Sequence, residues 1–174
     1  RLPRMLRRTP AVFTADPPVH ALPTAVERAD IAIQAAAMAR RMGHEPRVGL
    51  VSYSTFGNST HATSDNIRGA VSLLDSRELD FEYDGEMSVD VALNPELMDL
   101  YPFSRLSGPA NVLIMPGLQS ANIAAKLLQS LGGATVLGPL LMGLSHPAQV
   151  VPIGASVSDL VSAAALAAYD AGKR

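Results

Sequence analysis

The sequence predicts an α/β fold of three layers, in which a mainly parallel sheet carries helices on both faces. Short apolar runs of strand length alternate along the 174 residues with segments whose apolar residues recur at helical spacing. The spacers between successive runs are long enough for the helical crossovers that parallel strands require. Hydrophobic residues make up 48% of the chain, which is enough to bury both faces of such a sheet.

Composition argues against several classes of protein. The net charge of −2, the aromatic content of 5% and the lack of Trp give no sign of a nucleic-acid-binding surface. The chain has no Cys, which excludes disulfides, thiolate metal sites and thiol nucleophiles. No apolar run approaches the roughly 20 residues that span a bilayer. We therefore expect no membrane partner, no nucleic-acid partner and a cytoplasmic location.

The first segments combine a basic stretch with a well-marked helix. Residues 1–10 hold four arginines and two prolines without periodicity, and they predict a basic N-terminal arm ahead of one domain over residues 11–174. Because the first residue is not Met, we expect a portion of a longer chain. The first helix carries a capping box, in which Glu27 follows Thr24 by three residues, and it ends at Gly43.

The remaining elements follow from the same signals of period, capping residue and turn residue. Strands are predicted at Ala11–Thr14, Arg47–Tyr53, Phe81–Tyr83, Asn111–Met115, Ala134–Leu141 and Gln149–Ile153. The strand at Phe81–Tyr83 is expected to lead into the segment Asp84–Glu86. Further helices are predicted at Ser64–Leu74, Val89–Leu93, Pro95–Leu100 and Ser120–Leu131, and from Ser156 onward. The last helix is expected to bury Val157, Leu160, Val161, Ala164 and Ala168.

The turn after the strand at Arg47–Tyr53 is the strongest candidate for a ligand site. It contains Ser52, Ser54, Thr55, Gly57 and Asn58, and a predicted helix follows it. Backbone N–H groups at a helix N-terminus bind anions, and ligands of open α/β sheets lie beyond the carboxyl ends of strands. The alternative is an ordinary turn that uses these residues for their turn chemistry. The stretch has neither a Walker lysine nor a dinucleotide-binding glycine pattern.

Two later turns are predicted at the same edge of the sheet. Pro116–Asn122 contributes Ser120, expected as the N-cap of a helix, and Asn122 in its first turn. A third turn contributes Gly154, Ser156 and Asp159, although Ser156 and Asp159 also suit a capping box. Together the three turns predict a cleft for a phosphorylated or carboxylated small molecule.

Other chemistries have weaker support. Asp84, Glu86 and Asp90 could offer oxygen ligands to Mg²⁺, but no histidine accompanies them and acids are common at helix starts. We expect no metal site. Hydrolysis by a Ser-His-Asp triad lacks support because no G-x-S-x-G motif occurs.

The motifs, taken in order, resemble those of phosphate acetyltransferases over about Ala11 to Ala168. The segments that carry this resemblance are Pro23–Ala25, Glu45–Val48, Ser52–Gly57, Asp84–Glu86, Ala121–Ala124, Leu131–Gly133 and Gly138–Pro139. A closer resemblance is to the phosphotransacetylase-like C-terminal domain of large NADP-dependent malic enzymes. It rests on Ser52–Asn58, Phe81–Met87, Ala92–Glu96 and Leu100–Leu113.

The resemblance implies an isocitrate- or isopropylmalate-dehydrogenase-like fold of two domains, of which this chain would be the C-terminal half. It implies a homo-oligomer, at least a dimer, and acetyl-CoA, CoA or acetyl phosphate as the small-molecule ligand. No cofactor is expected in this chain. NADP and a divalent metal, Mg or Mn, would be held by the N-terminal malic-enzyme domain, which would be a further partner within the same protein.

One departure from the family pattern bears on activity. In the active phosphotransacetylases that this sequence resembles, the last turn has the sequence Ser-Arg-Gly-Cys-Ser and is followed by an acidic residue. Here the aligned stretch is Pro152–Ser156, with Ile153 in place of the Arg and Asp159 in place of the acid. Isoleucine cannot supply the bidentate phosphate donor that arginine supplies. A charged hydrogen bond lost from a transition state costs orders of magnitude in rate.

The resemblance therefore implies a regulatory domain that binds acetyl-CoA and supports oligomerisation, with Asp159 a vestigial catalytic candidate. One alternative is an active phosphate acetyltransferase, which interconverts acetyl phosphate plus CoA with acetyl-CoA plus phosphate. Another is a purely structural oligomerisation domain.

Overall fold

A computed structural model describes residues 11–16, 22–58, 61–132 and 136–172 of the chain. The strands are β1 (Phe13–Ala15), β2 (Arg47–Val51), β3 (Glu82–Met87) and β4 (Val112–Ile114). The helices are α1 (Ala25–Arg41), α2 (Ala62–Asp75), α3 (Val89–Leu93), α4 (Pro95–Met98), α5 (Leu118–Leu131) and α6 (Val157–Ala171). Among the described residues no helix has the length and apolar character needed to cross a membrane. The predicted arm at residues 1–10 lies outside the described residues.

The four strands form one parallel sheet in the order β1-β4-β2-β3. Val112 of β4 lies opposite Phe13 of β1 on one side and Val48 of β2 on the other. Since all strands point the same way, their carboxyl ends form one edge, which we call the carboxyl edge. The prediction of a mainly parallel sheet is confirmed.

Alternation along the strands divides the core between the two faces of the sheet. Val48, Leu50, Val112 and Ile114 pack against α1 and α2 on one face. Val51 and Leu113 pack on the other, against the α3–α4 region and the start of α5. The contribution of α1 is mainly alanine, at positions 29, 32, 35, 36 and 39, which lets this helix lie close to the sheet. Both faces are covered, as the three-layer prediction requires.

The ends of α1 form as its sequence predicts. The Thr24 N–H donates to Glu27 Oε2 at 2.8 Å, and the Glu27 N–H donates back to Thr24 Oγ1 at 3.3 Å. Gly43, just beyond the helix, has a φ of 87°, a conformation that residues with a Cβ rarely adopt.

The end of β3 differs from the prediction. The strand runs from Glu82 to Met87, so it includes Asp84–Glu86, which were expected to follow it. Gly85 lies opposite Leu50 and Met87 opposite Val51, which leaves Glu86 as an extra residue in a bulge. A Cβ on Gly85 would come within 2.6 Å of the Leu50 carbonyl oxygen, so only glycine allows this close pairing. The acids on either side of Gly85 fit inside the protein because polar partners from other segments bind them, as described below.

Two predicted strands are wrong. The described residues of the segments predicted at Ala134–Leu141 and Gln149–Ile153 form only an isolated antiparallel bridge between Leu140 and Gln149. Pro139 lacks a backbone N–H, which reduces the ability of the first segment to pair with a sheet.

The helices α5 and α6 also differ from the prediction. The N-cap of α5 is Gly117, and Ser120 lies inside the first turn, where its hydroxyl donates to the Gly117 carbonyl at 2.7 Å. The apolar residues expected to be buried in α6 are exposed: Val157 by 77%, Val161 by 62% and Leu160 by 47%. Helical periodicity identifies an apolar face but does not say what covers it.

Candidate functional site

Two of the three predicted turns meet at the carboxyl edge. The Ser52–Asn58 loop follows β2, and the turn at Pro116–Gly117 follows β4, which is the neighbour of β2 in the sheet. The third turn, Gly154–Asp159, does not follow a strand of the described sheet. The argument that placed the third turn at this edge from its preceding strand is therefore wrong.

The Ser52–Asn58 loop is organised around Glu86, whose side chain is fully buried. The Ser54 hydroxyl donates to Glu86 Oε1 at 2.9 Å, and the Gly57 N–H donates to the same oxygen at 3.2 Å. The bulge in β3 directs this side chain toward the loop, a known use of bulges beside functional sites. Two donors that the sequence predicted for an external anion are thus bound to a carboxylate of the protein itself.

Backbone and side-chain hydrogen bonds attach the rest of the loop to the end of β3. The Phe56 N–H donates to the Glu86 carbonyl at 2.8 Å. Thr55 Oγ1 donates to Ser88 Oγ at 3.0 Å and accepts from the Ser88 N–H at 3.0 Å. Gly57 and Asn58 lie exposed at the tip of the loop. Of the predicted ligand residues in this loop, these two are therefore the most accessible.

Arg68 of α2 neutralises Glu86. Its Nη1 lies 2.8 Å from both carboxylate oxygens, and its Nη2 binds Asp65 one helical turn earlier. The hydrogen bond to Asp65 and the attraction of Glu86 raise the pKa of Arg68. One guanidinium therefore faces two carboxylates, which gives this trio a formal charge of −1. The trio stabilises the loop but offers no net positive charge to a ligand.

A second arginine, Arg28, lies almost completely buried between α1 and the carboxyl edge. It donates to the carbonyls of Met115 at 2.8 Å and Pro116 at 3.1 Å, and its Nε donates to Asn66 Oδ1 at 3.3 Å. Burial lowers the pKa of Arg28 to about 10, so the guanidinium remains charged at neutral pH. It ties α1 and α2 to the turn that begins α5.

Two buried hydroxyls lie near these loops. Ser52 Oγ follows β2, and Ser64 Oγ belongs to the first turn of α2; neither finds a hydrogen-bond partner in the described part of the chain. Buried hydroxyls normally have partners, because desolvating one without compensation is unfavourable. Both hydroxyls are exceptions to this rule, and Ser52 lies in the interior and not on the accessible surface of the loop.

The predicted residues of α5 lie on the accessible side of the edge. Asn122 is exposed, and Ser120 is partly buried with its hydroxyl bound to Gly117. The N–H groups at the start of α5 point toward the carboxyl edge, since the helix runs back from it. Asn122 is thus available to a ligand at this end of the sheet.

The third turn forms the capping box that its sequence suggests. Ser156 donates to Asp159 Oδ2 through its hydroxyl at 2.8 Å and its N–H at 2.9 Å, and the Asp159 N–H donates to Ser156 Oγ at 3.2 Å. The Ser156 hydroxyl and N–H lower the pKa of Asp159. A carboxylate stabilised in this way is a weaker base than an ordinary aspartate. Gly154 and Ile153 beside it are exposed.

Two of the three acids considered for Mg²⁺, Asp84 and Glu86, are bound by donors of the protein itself. Asp84 accepts from the Arg105 N–H at 2.7 Å and from the Ser104 hydroxyl at 3.1 Å. Glu86, the extra residue of the bulge, binds Arg68. Across the described ranges, no group of three or more His, Cys, Asp or Glu side chains is arranged to hold a metal ion.

The Arg28 and Glu86 interactions were not predicted from the sequence. The burial of Arg28 could have been predicted, because Arg28 precedes Ala32, Ala35 and Ala39 in the buried stripe of α1. Glu86 and Arg68 have no local signal, since they belong to different elements and meet only in the folded chain.

The geometry defines a layered α/β domain whose candidate site lies beyond the carboxyl ends of adjacent parallel strands. The sequence pattern of the phosphate acetyl/butaryl transferase family matches residues 2–168. The chain therefore belongs to this family. Its similarity to NADP-dependent malic enzyme of Rhizobium meliloti is 54% identity over 96% of the chain but only 22% of that enzyme. This match lies in the C-terminal part of the relative.

Other relatives are phosphate acetyltransferases. That of Treponema pallidum is 41% identical over 83% of the chain and 44% of its own length. The crystal structure of a phosphotransacetylase from Streptococcus pyogenes superposes with a TM-score of 0.87 at 33% identity, covering 92% of this chain and 49% of that one. The chain thus spans less than half of these relatives, and the predicted three-layer phosphotransacetylase-like fold is confirmed.

Replacing Ser54 by Ala tests how strongly Glu86 holds the loop. The substitution removes a hydrogen bond to a buried carboxylate, so we expect the free energy of unfolding to fall by about 2 kcal/mol. Urea denaturation measures the change. Ser158→Ala, at an exposed position of α6, is the control and should stay within about 0.5 kcal/mol of the original protein. Equal effects of the two substitutions would contradict this role of Glu86.

Proposed function

We propose that this chain is a regulatory domain of an NADP-dependent malic enzyme, which binds acetyl-CoA and supports oligomerisation without transferase turnover. The observation that carries the proposal is the third turn. Ile153 is fully exposed where active phosphotransacetylases carry an arginine, and Asp159 caps a helix. A site that has lost its phosphate donor while the family fold persists is suited to binding more than to catalysis.

The ligand in this proposal is acetyl-CoA, or CoA itself, held at the carboxyl edge. The contacts predicted from the first two turns are Ser52, Ser54, Thr55, Gly57, Asn58, Ser120 and Asn122. Gly154 and Ser156 were predicted from the third turn, which does not follow a strand of the described sheet. The exposed tip at Gly57 and Asn58 and the exposed Asn122 support a cleft open to a small molecule. The interior bonds of Ser54 and Thr55 favour a supporting role for their side chains.

The helix α5 supports the proposed oligomerisation. Ile123, Leu127 and Leu131 recur every four residues along one stripe, and each is more than half exposed. Ala121 is the only residue of α5 that is buried in the described protein. A stripe of large apolar side chains is typical of a protein–protein contact. We assign it to a second copy of this chain, which would make the assembly at least a dimer.

The remaining parts of the reaction would lie elsewhere in the longer protein. The N-terminal malic-enzyme domain would hold NADP and Mg or Mn and would oxidise and decarboxylate malate in the cytoplasm. This chain would bind acetyl-CoA and thereby regulate that reaction. The similarity to the C-terminal part of malic enzymes supports this arrangement.

Deleting residues 11–172 from the full-length protein tests regulation. Acetyl-CoA is expected to inhibit malate oxidation by the complete protein. The truncated protein should retain malate oxidation and lose the inhibition, because the binding site has been removed. The assay follows NADPH formation with and without acetyl-CoA. Equal inhibition of both proteins would contradict the proposal.

The second candidate function is phosphate acetyltransfer, favoured by the retained Ser52–Asn58 loop and by Asp159. We expect no CoA-dependent consumption of acetyl phosphate by the full-length protein, because the third turn has no basic residue. Acetyl-CoA formation measured by its thioester absorbance decides the point. Clear turnover that Asp159→Ala abolishes would establish the transferase in place of the regulatory domain.

Replacing Leu127 and Leu131 together by Glu tests the oligomer. Two charges on the α5 stripe are expected to dissociate the assembly, because charge is excluded from apolar interface cores. Analytical ultracentrifugation of the full-length protein measures its mass. Val26→Glu is the control, because Val26 is also more than half exposed but lies on α1. An unchanged mass for the double variant would exclude α5 from the interface.

A further inference from the structure

We propose that the Ser52–Asn58 loop receives the uncharged thioester end of its ligand and excludes free phosphate. This inference rests on the proposed function and deepens it. The part of an acyl-CoA that contacts this loop would be the thioester. The loop would therefore bind thioesters in preference to acetyl phosphate and inorganic phosphate, a preference that the family pattern alone does not predict.

The first argument is that an anion already occupies two donors of the loop, the Ser54 hydroxyl and the Gly57 N–H. The fully buried carboxylate of Glu86 accepts from Ser54 and from the Gly57 N–H and binds Arg68 through both oxygens. A phosphate using the same donors would have to displace this carboxylate. Glu86 would then lose two of its hydrogen-bond donors inside the protein and keep only Arg68, which is unfavourable for a buried carboxylate.

The second argument is the local balance of charge. Arg68 is shared between Glu86 and Asp65, so the trio has a formal charge of −1. None of the segments 52–58, 116–122 and 149–172 contains a Lys or an Arg. Within the described ranges, Arg28 also lies near the edge, but it is buried and donates to the carbonyls of Met115 and Pro116. Like charge close to a negative group repels it, so phosphate is disfavoured here.

The third argument is an aromatic cluster beside the loop. Phe56 of the loop lies with its ring centroid 5.0 Å from that of Phe103 and 5.4 Å from that of Tyr101. Phe103 is 64% exposed, and Leu100, three residues earlier in the chain, is 70% exposed. An accessible apolar surface at this position suits an acyl methyl group and the uncharged pantetheine arm. The loop thus adjoins an apolar contact surface and lacks net positive charge.

Competition calorimetry on the full-length protein tests the proposal with four probes. They are acetyl-CoA, S-acetylpantetheine, which keeps the thioester but has no phosphate, acetyl phosphate and inorganic phosphate. We expect S-acetylpantetheine to displace acetyl-CoA. Acetyl phosphate and inorganic phosphate should not displace acetyl-CoA even at tenfold higher concentrations than S-acetylpantetheine requires. Hydrogen–deuterium exchange of the Ser52–Asn58 segment should slow with S-acetylpantetheine and remain unchanged with phosphate.

Charge variants provide a second measurement that leaves the core intact. Asp65→Asn removes one of the two carboxylates on Arg68, and the Asp65 side chain is 63% exposed, so folding should be retained. We expect this variant to bind inorganic phosphate at least about tenfold more tightly than the original protein. The matched control is Asp30→Asn, which removes the carboxylate paired with Arg77 at the other end of α2. It should leave phosphate binding unchanged.

The outcomes separate this inference from the proposed function. If phosphate or acetyl phosphate displaces acetyl-CoA as well as S-acetylpantetheine does, the inference is overturned and acetyl-CoA binding stands. If acetyl-CoA binds but S-acetylpantetheine does not, the inference is again overturned, because the phosphates of CoA then supply the affinity. If no probe binds, both proposals fail together.

Discussion

The buried carboxylate of Glu86 joins three parts of the structure at the carboxyl edge. It belongs to the bulge of β3, it accepts from the Ser52–Asn58 loop, and it binds Arg68 of α2. Removing one partner of such a pair leaves an uncompensated charge in the interior. The loop, the bulge and the start of α2 are consequently interdependent. The same carboxylate adds negative charge to the candidate site and occupies two of the donors of the loop.

The general fold was predictable because its signals are local. Capping boxes at Thr24 and Ser156, and the alternation of apolar strands with helices, depend on residues close in sequence. The site was only partly predictable. The sequence places hydroxyls after β2, but the partner of Ser54 lies 32 positions away, and the carbonyls bound by Arg28 lie 87 and 88 positions away. Such contacts depend on tertiary structure, which a single sequence pattern does not encode.

The errors in the C-terminal part have a related cause. Apolar runs such as Gln149–Ile153 resemble buried strands, but a run becomes a strand only when a neighbouring strand can bind its backbone. In α6 the predicted apolar stripe exists, yet its members are exposed. The stripe is therefore a surface that the described core does not cover. An uncovered apolar surface is consistent with family membership, because the chain spans less than half of the length of the relatives whose fold it shares.

The order of the strands has a consequence for assembly of the domain. β4 is the last strand of the described sheet in sequence, but it lies between β1 and β2. During synthesis β1 has no neighbour in the described sheet until β4 has left the ribosome, whereas β2, α2 and β3 can associate earlier. Closing such a long loop carries an entropic penalty that local contacts avoid. Because the candidate site needs the ends of both β2 and β4, a ligand of this edge would bind only chains whose sheet is complete, and would thereby favour fully assembled protein.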